Sequence, residues 1–180
     1  MNMFIEGLIG AGHEVKVLSV DSWKFHVKPQ DIPEKYRRDT GLELIPVDLR
    51  IKPLHALQHL MAGSSYHVSR FNSPLFLKRV MELLRDEPFD IVQLETVFMG
   101  VYLPAIRSVS KARVVLRAHN VEHMIWERIA IGCRNPLKKW YLRQLARTLK
   151  QFEISLCREM DGVIPITAHD ARYLQEILTG

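Results

Sequence analysis

A chain of 180 residues with 47% hydrophobic and 25% charged residues can bury one domain core and lies well outside the composition of disordered chains. Two cysteines, Cys133 and Cys157, are too few and too unpatterned for a disulfide framework or a zinc knuckle, and they suit a reducing, cytosolic compartment. The net charge of +5 favours anionic partners without choosing among nucleic acid, phospholipid and phosphorylated small molecules.

The N-terminal segment carries Met3, Phe4, Ile5, Leu8 and Ile9 at helical spacing, and Gly10 and Gly12 supply its stop, which predicts a helix over residues 1–12. This segment has no signal-peptide pattern, and no stretch of the chain approaches the ~20 apolar residues of a membrane span. The Val-rich run from His13 to Val20 predicts a strand. Trp23 to Arg38, with Pro29 and Pro33 among many charges, reads as an exposed loop. Leu42 to Asp48 reads as a strand whose Pro46 points to an edge or a strand end, and residues 53–62 read as a short helix.

Asn72-Ser73-Pro74 offers a cap and a first-turn proline for a helix reaching about Asp86, with Leu77, Val80, Met81 and Leu84 on its apolar face. Phe89 to Leu94 is a short buried strand, broken by the polar pair Glu95 and Thr96. Pro104 to Val109 starts a brief helix, and Arg113 to Ala118 is a further strand that stops at His119, Asn120, Glu122 and His123. In open α/β sheets ligands bind just beyond the carboxyl ends of strands, so these strand ends are the natural place for chemistry.

Asn135 and Pro136 begin the strongest helical signal, which runs to Met160 with Leu142, Leu145, Leu149, Phe152 and Leu156 on one side. Lys139, Arg143, Arg147 and Lys150 form a stripe away from those leucines: a solvated helix face, or a contact for anionic lipid. No recognised nucleic-acid module accompanies it, and aromatics do not interleave the basic residues. Asp161 to Ile166 is a last strand, and Thr167 caps a helix through Leu178. The alternation of strands and helices argues for a parallel, doubly wound sheet.

Three familiar entry points to chemistry are absent from the sequence: a Gly-x-Ser-x-Gly elbow, a Gly-x-Gly-x-x-Gly fingerprint and a phosphate-cradling loop ending in Gly-Lys-Ser/Thr. His119-x-x-Glu122-His123 fits the written form of an inverted zinc-protease motif. That chemistry needs both histidines on one helix, and here the first follows a strand directly. Read alone, His119 is a histidine satisfying backbone groups in a turn, and Glu122 and His123 either meet a ligand or cap the next helix.

The stretch His119-Asn120-Val121-Glu122-His123, followed by Trp126-Glu127-Arg128, resembles the N-terminal domain of a retaining glycosyltransferase of the family 4 type. Leu8 to Val17 resembles that family's first helix running into its second strand through a Gly-His-Glu-Val turn, and Asp90 to Leu94 resembles a strand whose end often carries histidines. Phe152-Glu153, then Met160-Asp161 through Thr167, resembles its helix with an internal glutamate and the strand that follows. Gln93 and Glu95 stand where relatives often have histidine.

The resemblance implies a Rossmann-like three-layer α/β sandwich with a mostly parallel sheet, forming the acceptor-side half of a two-domain GT-B fold. It implies His119 as a catalytic residue; Asn120, Glu122, His123, Glu95 and Thr96 at the strand ends are expected to contact substrate, and Glu153 and Asp161, one inside a helix and one at its exit, read as structural despite their match to the family. The expected reaction takes a nucleotide-sugar as donor substrate and needs neither cofactor nor obligatory metal. Residues 1–180 are expected to be a partial domain, inactive alone, lacking the first strand and the C-terminal nucleotide-sugar domain. Loss of a central strand would be compensated by a partner chain, through a dimer or strand exchange, by an added strand or by a rearranged sheet. The other reading is a non-catalytic α/β module that holds an anionic ligand at the same strand ends.

Overall fold

In a computed structural model that describes residues 2–24 and 26–179, all five strands run parallel but divide between two sheets. Strand β1 (Leu18–Asp21) pairs with β2 (Glu43–Pro46), Val20 opposite Ile45. Strands β3 (Ile91–Leu94), β4 (Arg113–Ala118) and β5 (Gly162–Pro165) form the second sheet in that order, Leu94 opposite Leu116 and Leu116 opposite Val163. The parallel, helix-connected architecture is the expected one. The division differs from a single sheet: among the described residues, β1 and β3 each have a ladder partner on one side only. Met1, Phe25 and Gly180, which fall in the expected first helix, the expected loop and the end of the expected domain, lie outside the described residues.

The helices follow their sequence punctuation. Helix α1 spans Asn2–Gly10, and the strand predicted after it is shorter than expected, because only from Leu18 onward does the chain run beside β2 as a ladder. Helix α2 (Glu34–Thr40) lies where a loop was expected. Its seven residues are too few to show periodicity, but Pro33 ahead of it and left-handed Gly41 (φ 50°) behind it are start and stop signals, and Lys35 pairs with Asp39 one turn on. Helices α3 (Pro53–Met61) and α4 (Tyr66–Ser69) lead to α5 (Pro74–Asp86), where the Ser73 hydroxyl accepts from the Phe76 N–H.

Helix α6 (Leu103–Val109) precedes β4, and α7 (Glu122–Gly132) follows it. Helix α8 (Pro136–Glu159) is capped by Asn135, whose Oδ1 accepts from the Lys138 N–H at 3.0 Å. Helix α9 (Ala168–Thr179) is capped by Thr167, which accepts from the Asp170 N–H and donates its hydroxyl to the Asp170 carboxylate.

The main core gathers Phe76, Leu94, Ile106, Val114, Leu116, Leu156 and Leu174, and Leu18, Val20 and Ile45 of the smaller sheet pack against it, so both sheets share one core. Each such side chain contributes about 1.5–3 kcal/mol when fully buried. A second, smaller cluster joins Ile5, Val17 and Tyr36. Asp161 anchors the start of β5: its carboxylate accepts from the Val114 N–H and pairs with Arg107 at 2.7 Å. Gly100, in the 3-10 turn Val97–Tyr102, lets that turn touch α8. A Cβ there would stand 3.0 Å from Leu156 Cγ and closer still to both its methyl groups.

Arg79 of α5 clamps the smaller sheet, donating Nε to Glu43 Oε2 at 2.6 Å and Nη2 to Oε1 at 2.8 Å, while Lys16 reaches the same carboxylate at 2.9 Å. The hydrogen bonds from Arg79, helped by Lys16, outweigh burial and hold the Glu43 carboxyl at about 2. A carboxyl whose folded pKa lies below its unfolded one stabilises the fold above the unfolded value, about 4.3, and loses that contribution as the pH falls towards the folded one. Glu43→Gln is therefore expected to cost about 1–2 kcal/mol at neutral pH, with the gap from the parent chain closing between about pH 4.5 and pH 2, as read from denaturant midpoints.

Candidate functional site

Strands β3 and β4 end side by side, and their register carries forward so that the residue after Leu94 lies across from Arg117. Side chains on a strand alternate faces, so Gln93 and Glu95 share one face and Arg117 and His119 share the matching one. At this shared edge Glu95 Oε2 accepts from His119 Nε2 at 2.8 Å and from Arg117 Nη1 at 3.1 Å, while Oε1 accepts from the Gln93 amide. Burial pushes the Glu95 carboxyl up, but the donors His119, Gln93 and Arg117 together outweigh it and leave it below the ordinary glutamate range. The guanidinium of Arg117 also lies 4.5 Å over the ring of Phe4, tying α1 to the same edge.

An ionised Glu95 fixes the imidazole of His119. Its Nε2 carries the proton and donates to the carboxylate, so a neutral ring presents an acceptor at Nδ1, which has no protein partner among the described residues. The side chain of His119 is 36% exposed, open enough for a ligand hydroxyl to reach it. Asn120 is exposed and hydrogen-bonds to Glu122. Burial, and then the charge of Glu153, raise the Glu122 carboxyl above the usual range against the opposing pull of Asn120 and His119. An oriented imidazole and a half-buried carboxyl of raised pKa therefore sit three residues apart just beyond one strand end, an arrangement suited to proton handling at a ligand hydroxyl.

His123 lies elsewhere. Expected at the substrate, it is completely buried: Nδ1 meets Glu153 Oε2 at 2.6 Å and Nε2 meets the Tyr173 hydroxyl at 2.8 Å. Glu153, itself 2% exposed, accepts the backbone N–H groups of Glu122 and His123 at 3.0 and 3.1 Å. A carboxylate from α8 thus serves as the N-terminal cap of α7, where Val121 has no side-chain acceptor to offer. Thr96, expected to meet substrate, spends its Oγ1 accepting from the Phe98 N–H at the start of the 3-10 turn. The two histidines of the zinc-like pattern do not converge, since both ring nitrogens of His123 are engaged in the core. No group of three or more His, Cys, Asp or Glu side chains among the described residues is arranged to hold a metal ion.

Sequence reading missed two contributors. Arg117 was visible in principle, because it sits two positions before His119 on the same face of a strand. The aromatic group behind the strand ends carried no local signal: His67 of α4 packs edge-on against Phe98 and Trp126, and Phe71 stacks on Phe98. Burial, and secondarily Arg70, bring the His67 ring down to about 4, so it is a neutral packing element near neutral pH. No helix of the described residues is long and apolar enough to cross a membrane.

The glycosyl transferase 4-like domain matches residues 1–179. No curated protein and no solved structure matches the chain. The chain therefore belongs to the glycosyl transferase 4-like domain family, with a sugar-transferring function in the general sense and sugar donor and acceptor as its substrates.

Proposed function

We propose that this protein transfers a sugar from a nucleotide-sugar to a hydroxyl of a polysaccharide, glycolipid or lipid-linked acceptor with retention of configuration, in the cytoplasm and peripherally at the inner membrane face. The observation that carries the reading is the His119 ring held at a strand end by Glu95, with Nδ1 unpartnered among the described residues. His119 is the residue that meets the transferring group. Asn120 and Glu122 contact acceptor hydroxyls, while Glu95 acts through His119. The stripe of Lys139, Arg143, Arg147 and Lys150 faces anionic lipid. The unpaired sides of β1 and β3 support strand exchange between copies.

The test offers a panel of labelled nucleotide-sugars and a membrane extract to the longest natural polypeptide that contains this chain, and reads the anomeric configuration of the product by nuclear magnetic resonance. An α-linked donor is expected to give an α-linked product. An inverted product overturns retention, and no transfer from any donor overturns the assignment of donor class.

A further inference from the structure

The hairpin formed by α7 and α8 exposes large apolar side chains at its tip: Ile131 is 71%, Leu137 80% and Trp140 54% exposed. Single exposed hydrophobics are ordinary, but these three bracket one turn within ten positions. Leu137 and Trp140 are three apart on α8 and share a face. From Arg128 to Lys150 the chain carries seven basic residues and no acidic one.

At 100° per residue Trp140 follows Lys139, Arg143 and Arg147 around the side of α8 opposite the buried Leu142, Leu145 and Leu149. Arg143, Arg147 and Lys150 line a shallow groove between the two helices together with Ala130, Ile131 and Ala146. Glu127 is the acidic residue in that lining.

An amphipathic hairpin with an aliphatic and indole tip, and cations on the same outward side, has the composition of an interfacial membrane anchor. RNA would use the cations but leave Ile131 and Leu137 with nothing to stack on. We infer that the α7–α8 hairpin docks on an anionic lipid bilayer, with Ile131, Leu137 and Trp140 entering the boundary between head groups and acyl chains and Arg143, Arg147 and Lys150 meeting lipid phosphates. This rests on the basic stripe facing lipid and adds the apolar insertion that the stripe alone does not require.

The protein is sedimented with phosphatidylcholine vesicles, with and without about one quarter phosphatidylglycerol, at about 0.15 M salt. Two variants, Leu137→Ser with Trp140→Ser and Arg143→Gln with Arg147→Gln, change exposed positions, and their melting curves check that each is folded. The parent chain is expected to pellet with the anionic vesicles only. The serine variant is expected to lose tenfold or more in partition, and the glutamine variant about fivefold per residue. Pelleting of the serine variant at the parent level overturns insertion while leaving the basic stripe as the contact. Failure of the parent chain to pellet with either vesicle overturns both, in favour of nucleic acid if it is instead retained on RNA. A parent dimer that the serine variant converts to monomer overturns the bilayer in favour of a second copy.

Discussion

Replacing His119 with alanine is expected to slow sugar transfer by about 10²–10⁴-fold with little change in stability, because the ring sits at a strand end and not in the core. Among the described residues its one protein hydrogen bond is to Glu95, which keeps two other side-chain donors, Arg117 and Gln93, when the imidazole is gone. The carboxylate is therefore not left bare, and the loss falls on turnover. Glu95→Gln separates position from charge: it keeps a hydrogen-bonding partner for His119 but removes the negative charge that selects the Nε2-protonated ring. Its signature is an altered pH profile of turnover, a readout that lost packing would not move. Steady-state rates across pH, with thermal melting of each variant alongside, make the comparison. Normal turnover of the alanine variant would remove His119 from the chemistry.

The largest effect on stability is expected at Glu153. Glu153→Ala leaves the N–H groups of Glu122 and His123 without their acceptor and strands the His123 ring, fully buried, with only the Tyr173 hydroxyl. Breaking a buried polar pair by removing one partner costs about 3–5 kcal/mol. The whole fold is worth about 5–15 kcal/mol, so such a loss is a large part of the total. Glu153→Gln keeps one carbonyl oxygen for a helix N–H and should cost less than the alanine change. Denaturant unfolding measures both, the midpoint moving with little change in slope. A loss below about 0.5 kcal/mol in the alanine variant would show that water satisfies the α7 terminus and that the carboxylate is dispensable.

The consequence for the site is indirect but physical. Helix α7 begins directly after Asn120 and Val121, so the carboxylate that caps it also sets where the chain turns out of β4 and holds His119 at the edge. His119 and His123 lie four residues apart and look equivalent as letters, yet one is partly exposed at the strand end and the other is sealed by α8 and α9. Their spacing in the written pattern carries no information about this, because the partners that separate them, Glu95, Glu153 and Tyr173, come from distant parts of the chain.

Local chemistry by itself determined the helices with strong punctuation and the strands with continuous apolar runs. Asn135-Pro136, Ser73-Pro74 and Thr167 start α8, α5 and α9 because their side chains satisfy orphan N–H groups whatever the surroundings. Arg113 to Ala118 is legible as a strand from its short apolar run, Val114 to Leu116. The placement of polar residues just beyond β3 and β4, and the resemblance that gave them meaning, were equally legible in the sequence. Short α2 and the start of α7 were not, because one has too few residues for a period and the other borrows its cap from a side chain 30 positions away.

Only tertiary structure decided that the parallel strands fall into two sheets sharing one core, that Glu95 orients His119, and that Glu153 with Tyr173 takes His123 out of the site. The reason is the same in each case: pairing, register and burial join groups far apart in sequence, and a carboxylate's role depends on which donors reach it.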